Sequence, residues 1–439
     1  MQLTKSNIDA LHQQIPIDSL CKTFQDAIIA TQALGLRYLW IDSLCIIQDD
    51  EHDWDQECAT MADVYGDAIV NIAATNATDG SVGLFVERST ARASRQLVRT
   101  NTDRTYTLRD RFLRRRCLDR TPLSRRAWAF QERYLARRTI HFTAEQIFCE
   151  CPHDTACESF PTGGLGISGR NTFPRGDSSN EWRNIVEYYS RTLLTVPKDK
   201  LVALSGVAHQ FQAKSRDQYC AGLWRSTLEM DLCWKIDREH LDQPPIQSSA
   251  IQYRAPTWSW ACTDYPISFP FDNYTTLEAA ESVLCHVVGT SFEPLTSDPL
   301  GQLVHGYLVV NCGPLLNGMA PLFPDKYLFW EAESKADDYS TVRMGKHHDI
   351  CYYFDSEPAM VTEDIYILPI FNTTGLIVTT AKRGAKGHFI RLGIFHILDS
   401  ESGYETLVQI SGATMDETLY AEILGPDENG MPQYSIILV

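Results

Sequence analysis

The chain has 439 residues, 44% of them hydrophobic and 22% charged, the make-up of an ordinary globular protein with room for two or three domains. Its net charge of −17 argues against general nucleic-acid binding, and no uninterrupted apolar stretch approaches the roughly 20 residues of a membrane span. The polar opening "MQLTKSNIDALHQQ" is no secretory signal, so the thirteen scattered cysteines read as reduced thiols of cytosol or nucleus, and a cytoplasmic location is expected.

In chain order, Phe24, Ala27, Ile28, Thr31 and Leu34 recur at helical spacing, with Gly35 as the stop. Tyr38–Ile41 reads as a short buried strand ending at Asp42. Six carboxylates follow within nine residues (Asp49, Asp50, Glu51, Asp53, Asp55, Glu57). Asp53 and Gln56 make a capping pair, and Trp54, Cys58, Met61, Ala62 and Tyr65 form one stripe of the helix behind it. Ala68–Ala74 is a second strand. This alternation with short connections is α/β logic. From Arg88 to Arg138 sixteen arginines face four acids, a local net of +12. The run is either an anion site or, as is usual for arginine, a set of partners for the acidic remainder. "YTLRDRF" alternates like a strand. A helix is expected over Ala127–Tyr134 and strands over Thr139–Phe142 and Gln146–Cys151. Residues 159–181 and 241–256 look like loops around a helical region. From Trp258 onward "TWSWAC", "GQLVHGYLVVNC", "DIYILPIF", "GLIVTT", "HFIRLGIFHI" and "YSIILV" are short β-type runs. Trp258 and Trp260 read as packing aromatics on one strand face.

The stretch Leu20–Ala74 resembles the core of the fungal heterokaryon-incompatibility (HET) domain. It carries Thr23, Asp26 and Ala27; Leu34, Gly35, Tyr38, Trp40, Ile41, Asp42, Leu44, Cys45, Ile46 and Gln48; Asp53, Trp54 and Glu57; Met61 and Tyr65. A second block, Arg126, Trp128, Gln131, Glu132 and Arg133, is similar to the family's Arg-x-Trp-x-x-Gln-Glu-Arg segment. The family's usual opening strand, approximately Tyr-x-Ala-Leu-Ser-Tyr-x-Trp-Gly, has no counterpart. The expected fold is therefore an α/β, TIR-like (flavodoxin-like) HET domain over 1–158 that lacks its first strand. A helical middle over 159–250 and a β-rich region over 251–439 follow, a mixed α+β chain. The resemblance implies non-self recognition and incompatibility-linked programmed cell death, with a protein partner or self-association.

Two carboxylates are candidate catalytic groups. Asp42 ends a strand on the side where α/β folds place sites, or it braces the next loop through backbone N–H groups. HET domains are distantly similar to TIR domains, some of which cleave NAD⁺ with a glutamate near such a helix start, and Glu57 is the matching residue. That is fold-level analogy, and the acidic run is also what a helix N-terminus favours. Arg126, Trp128 and Arg133 are candidate cofactor-binding residues, or they belong to a core helix with Glu132 paired to Arg126 or Arg133. No motif demands a cofactor; NAD⁺ enters only as a possible substrate. No metal site is expected. The acidic run lacks the central glycine of a calcium loop, and Cys149, Cys151, His153 and Cys157 do not have a common zinc spacing. Recruitment to a metabolic gene cluster and a non-catalytic interaction module are the alternatives.

Overall fold

The computed structural model describes residues 1–88, 97–99, 105–108, 110, 112–163, 173–174, 179–238, 253–270, 283–318, 340–344, 348–355, 364–381, 386–397, 408, 412–414, 416–428 and 430–439. Most of the two expected loops, 159–181 and 241–256, lies outside them, as do Arg109 and Arg111 of the alternating "YTLRDRF" run; the first two residues of that run belong to a strand, Thr105–Thr107, that pairs with Leu97–Arg99. The chain forms two compact units. The first holds Met1–Arg175, Thr192–Thr195 and Val202–Gln210; the second holds Gly176–Arg191, Val196–Leu201 and Phe211–Val439. The helical middle is thus divided between them.

In the first unit, helix α1 spans Lys22–Ala33 and buries Asp26, Ala27, Ala30 and Thr31. Gly35 ends it at φ +70°, and the Gly35 and Leu36 N–H groups donate back to Gln32 and Thr31 carbonyls at 2.9 and 3.1 Å. This is a Schellman stop, which needs a residue tolerant of left-handed backbone. The buried Asp26 carboxylate accepts from the Leu84 and Phe85 N–H groups at 2.9 and 3.3 Å. It ties α1 to the segment that packs Leu84 against Ala27 and Ala30.

The strand expected over Tyr38–Ile41 does not form. The chain is extended there (Ile41 φ −133°, ψ 119°), but it pairs with no described strand. Tyr38 is 85% exposed. A single turn, α2 (Asp42–Cys45), follows. Helix α3 spans Glu51–Asp67, and its cap is Asp50, which accepts from the His52 N–H at 3.1 Å. The expected Asp53–Gln56 pair is not the cap: the helix starts three residues earlier, and Asp53 accepts from the Ile47 N–H at 2.7 Å instead. Glu51 and Asp53 still fall in the first turn, where the helix dipole favours negative charge.

A four-stranded sheet follows: β1 (Asn71–Ala73), β2 (Thr139–Phe142), β3 (Ile147–Glu150) and β4 (Thr155–Cys157), in that order. β1 and β2 run parallel, with Ala73 opposite His141; β3 and β4 add antiparallel. Helix α4 (Ala127–Leu135) matches its expected bounds to within a residue and leads directly into β2.

In the second unit, α5 (Ser179–Ser190) and the later part of α6 (Val202–Ser215) surround an aromatic cluster. Trp182 meets Phe211 and Trp224 at ring-centroid distances of 5.3 Å. The Gly222 carbonyl accepts from the indole N–H groups of both Trp182 and Trp260, each at 2.9 Å. A Cβ at Gly222, whose φ is +96°, would stand 2.6 Å from the Trp260 ring nitrogen, so only glycine lets the two indoles converge. "TWSWAC" is not a strand. Ser259 caps a 3₁₀ turn, Trp260–Cys262, by accepting from the Ala261 N–H, and the capping serine outweighs the apparent alternation. Both tryptophans are fully buried, as packing aromatics should be.

The C-terminal part holds the strands β5 (Cys285–Pro294), β6 (Leu303–Cys312), β7 (Leu316–Asn317), β8 (Ser340–Met344), β9 (His348–Phe354), β10 (Ile365–Phe371), β11 (Thr374–Thr380), β12 (His388–Ile397), β13 (Glu422–Ile423) and β14 (Tyr434–Leu438); β6, β10, β11, β12 and β14 fall on the other five expected β-type runs, and β5, β7, β8, β9 and β13 are additional. Among the described residues they make one ten-stranded sheet with the main order β5-β6-β14-β12-β11-β10-β7. Ile367, Ile377 and Phe395 sit in its core.

Candidate active site

A cavity of 680 Å³ opens in the first unit. Its wall is built from α1, the extended segment from Leu36 to Asp42, the C-terminal end of α3, β1, α4 and β2. The failed strand is therefore a cavity wall: Trp40 stands edge-on to Tyr65 of α3 at 5.6 Å.

Four polar residues meet in this wall: Asp42, Tyr65, Arg126 and Glu132. Asp42 and Arg126 are exposed and lie where the cavity opens, whereas Tyr65 and Glu132 are half-buried. The Asp42 carboxylate also accepts from the Ser43 N–H at 2.7 Å. The Tyr65 hydroxyl and the Glu132 carboxyl each act on the other's titration. Burial, and next the negative charge of Asp42, push the Glu132 carboxyl up to about 7; Arg126 and the Tyr65 hydroxyl pull the other way without prevailing. Burial and the Glu132 charge push the Tyr65 phenol well above its ordinary value, so Tyr65 stays a neutral donor. A carboxyl group that exchanges its proton near neutral pH, beside an aromatic pair, has the properties of a general acid or base.

A second, deeper group borders the same cavity. Thr75, Arg133 and His141 line it, and all are buried. Arg133 Nε and Nη2 donate to Glu150 Oε2 and Oε1 at 2.6 and 2.9 Å, and Nη1 donates to Asp119 at 3.1 Å. Arg114 adds a third donor to Glu150 at 3.1 Å. His141 Nε2 lies 3.2 Å from Glu150 Oε2 and its Nδ1 3.0 Å from Thr75 Oγ1. Burial alone would raise the Glu150 carboxyl, but the charge and hydrogen bonds of Arg133, with His141, hold it well below its ordinary range. Burial lowers His141.

The residues singled out from the sequence separate here. Asp42, Arg126 and Arg133 line the cavity; Glu57 and Trp128 do not. Glu57 is half-buried on α3, and its charge acts on the Cys45 thiol, which burial, Asp42 and Glu57 together raise. Trp128 packs edge-on against Trp54 at 6.2 Å. Glu132 does not pair with Arg133, whose guanidinium belongs to Glu150 and Asp119. Glu132 and Tyr65 both stand in the HET-like blocks, where spacing gives them only packing and pairing roles; Thr75 and His141 carry no sequence signal of a site, and neither does Glu150. Among the described residues, no three His, Cys, Asp or Glu side chains are grouped to hold a metal ion.

Residues 2–132 match the family model described as Heterokaryon incompatibility protein (HET). The match contains Asp42, Glu57, Tyr65, Thr75, Arg126, Trp128 and Glu132 and ends just before Arg133. No curated protein and no solved structure matches the chain.

Proposed function

We propose that this chain, which carries a HET domain over residues 2–132, exerts its incompatibility-type function through a small molecule taken into the cavity of its first unit. In a fungal cell it would act as an effector or regulator of the programmed death that follows non-self recognition. The family match supports an incompatibility-type role in general. The observation that carries the small-molecule reading is the meeting of Asp42, Tyr65, Arg126 and Glu132 in one wall of a 680 Å³ cavity, within the roughly 300–1,000 Å³ range of small-molecule sites. No helix of the described chain is long and apolar enough to cross a membrane.

The cleavage of a nicotinamide dinucleotide fits this wall better through Asp42 and Glu132 than through Glu57. Nicotinamide leaves neutral, so its departure needs no proton. The Asp42 carboxylate would stabilise the positive charge that develops on the ribose carbon, and Glu132 would take a proton from the attacking water. The test is nicotinamide release from NAD⁺ by the purified chain beside Glu132→Gln and Glu57→Gln. The expected result is turnover by the parent and by Glu57→Gln and none by Glu132→Gln. No release by the parent overturns the enzyme reading. The cellular role is tested by overexpression in a fungal host, where unimpaired growth overturns it.

A further inference from the structure

Thr75, His141 and Glu150 form a continuous hydrogen-bonded chain that the Asp42–Glu132 reading does not use. Thr75 lies two residues beyond β1, and His141 sits on β2 opposite Ala73 in parallel register. Hydroxyl and imidazole therefore stand side by side near the carboxyl ends of two parallel strands, the edge at which α/β sheets hold their sites. Both line the cavity.

The proton positions follow from the partners. An ionised carboxylate only accepts, so the 3.2 Å contact to Glu150 puts a proton on His141 Nε2. Arg114 and Arg133 already balance Asp119 and Glu150 in charge, so the buried imidazole is neutral and its Nδ1 carries a lone pair. The 3.0 Å contact with Thr75 is then Oγ1–H donating to Nδ1. The longer, 3.3 Å approach of the same hydroxyl to the Ala73 carbonyl is secondary, because there is one proton to give. Carboxylate, imidazole and hydroxyl thus stand in the order of an activated nucleophile, with the two ring nitrogens exchanged relative to the usual serine-hydrolase arrangement.

We propose that Thr75 is a nucleophile, with His141 as its base and Glu150 as the positioning residue for His141, and that the substrate is an activated acyl compound, an ester or thioester. Thr75 Oγ1 bonds to the carbonyl carbon while its proton passes to His141 Nδ1. The bond to the alkoxide or thiolate then breaks, and that group leaves with the proton. Water attacks the acyl-threonine, gives a proton to Nδ1, and releases the acid as the proton returns to Oγ1. Glu150 is already shared with two arginines, so it supports His141 less than an unshared carboxylate would. Threonine is also more crowded than serine. Both limits point to activated acyl groups rather than amides. The proposal does not rest on the dinucleotide reading, and the two fail separately.

The test is to treat the full chain with a small alkyl fluorophosphonate and map the adduct by peptide mass. The hydroxyl oxygen bonds to phosphorus and fluoride leaves. The expected result is an adduct on Thr75 in the parent, formation at least as fast in T75S, and a loss of roughly 100-fold in H141Q, the size of a general-base contribution. The labelling rate should fall in acid as Nδ1 takes a proton. Adducts elsewhere but never on Thr75, or equal rates in the parent and H141Q, overturn the proposal. If H141Q does not fold, T75S decides alone, and an unlabelled T75S overturns it.

Discussion

The Arg133 guanidinium meets the Glu150 carboxylate in two parallel hydrogen bonds of 2.6 and 2.9 Å, with both side chains buried. This pair joins α4 to β3, and it decides what a substitution costs. Arg133→Met removes one partner and strands a buried carboxylate, which typically costs about 3–5 kcal/mol. Arg114 and His141 remain on Glu150, so the lower end is expected. Guanidinium denaturation measures it; a loss under about 1 kcal/mol would mean that Arg114 suffices alone.

The same buried groups set a pH dependence whose sign differs from one to the next. His141 titrates below its ordinary 6.5 and Glu150 well below its ordinary 4.5. Between the folded and unfolded values the unfolded chain binds more protons, so stability rises with pH in both windows. It is lost on acidification, first below 6.5 through His141 and then below 4.5 as Glu150 approaches its folded value. Glu132 runs the other way. Its value moves from 4.5 to about 7, so its contribution is present below 4.5 and lost as pH rises through 7. Glu132→Gln is therefore expected to stabilise the protein at pH 8 by about 2 kcal/mol, at about 1.4 kcal/mol per pH unit with an allowance for water in the open cavity, and to give no gain at pH 4. Paired melts at the two pH values read this directly.

Local chemistry explains which parts of this structure were legible. Gly35 stops α1 because its neighbours have the hydrogen-bond pattern of a helix end, and the runs from Leu303 to Leu438 pair because their side chains fit a sheet. Tyr38–Ile41 looks like a strand for the same reason, yet a strand also needs a neighbour, and no described strand supplies one. In the recognised block, Asp42, Arg126 and Arg133 fall in the cavity wall. Helical spacing puts Trp128 and Glu132, four residues apart, on one face of α4, but only Glu132 borders the cavity, and spacing does not tell which residue of a face meets a void. The Thr75–His141 contact joins residues 66 apart and depends on the parallel register of β1 and β2, which no local pattern encodes.

Gly206 lies in α6 where it passes α4, and its N–H donates to Gln131 Oε1 at 2.8 Å. A Cβ there would stand 2.8 Å from the Ala62 methyl and 2.9 Å from Gln131 Oε1. Alanine in a helix gains up to about 1 kcal/mol over glycine, and overpacking costs about 1–3 kcal/mol. The crowding should prevail, giving a net loss for Gly206→Ala in thermal melts. A higher melting temperature would mean that α6 slides away without cost.

Asp42 and Arg126 act on Glu132 with opposite signs, and a pair of substitutions separates them from burial. Asp42→Asn removes a like charge and should lower the Glu132 pKa. Arg126→Met removes a cation and should raise it. Both residues are exposed at the cavity mouth, so each change is expected to be on the order of threefold to tenfold in proton affinity, the size of a partly screened charge interaction. The double variant should titrate near the parent if the two charges act independently. Carbon-detected NMR of the Glu132 carboxyl follows all three. Shifts of the same sign in the two single variants would mean that cavity shape, rather than charge, governs Glu132. A fall to the ordinary carboxylate range in Asp42→Asn alone would make the neighbouring carboxylate, not burial, the main cause of its neutral titration.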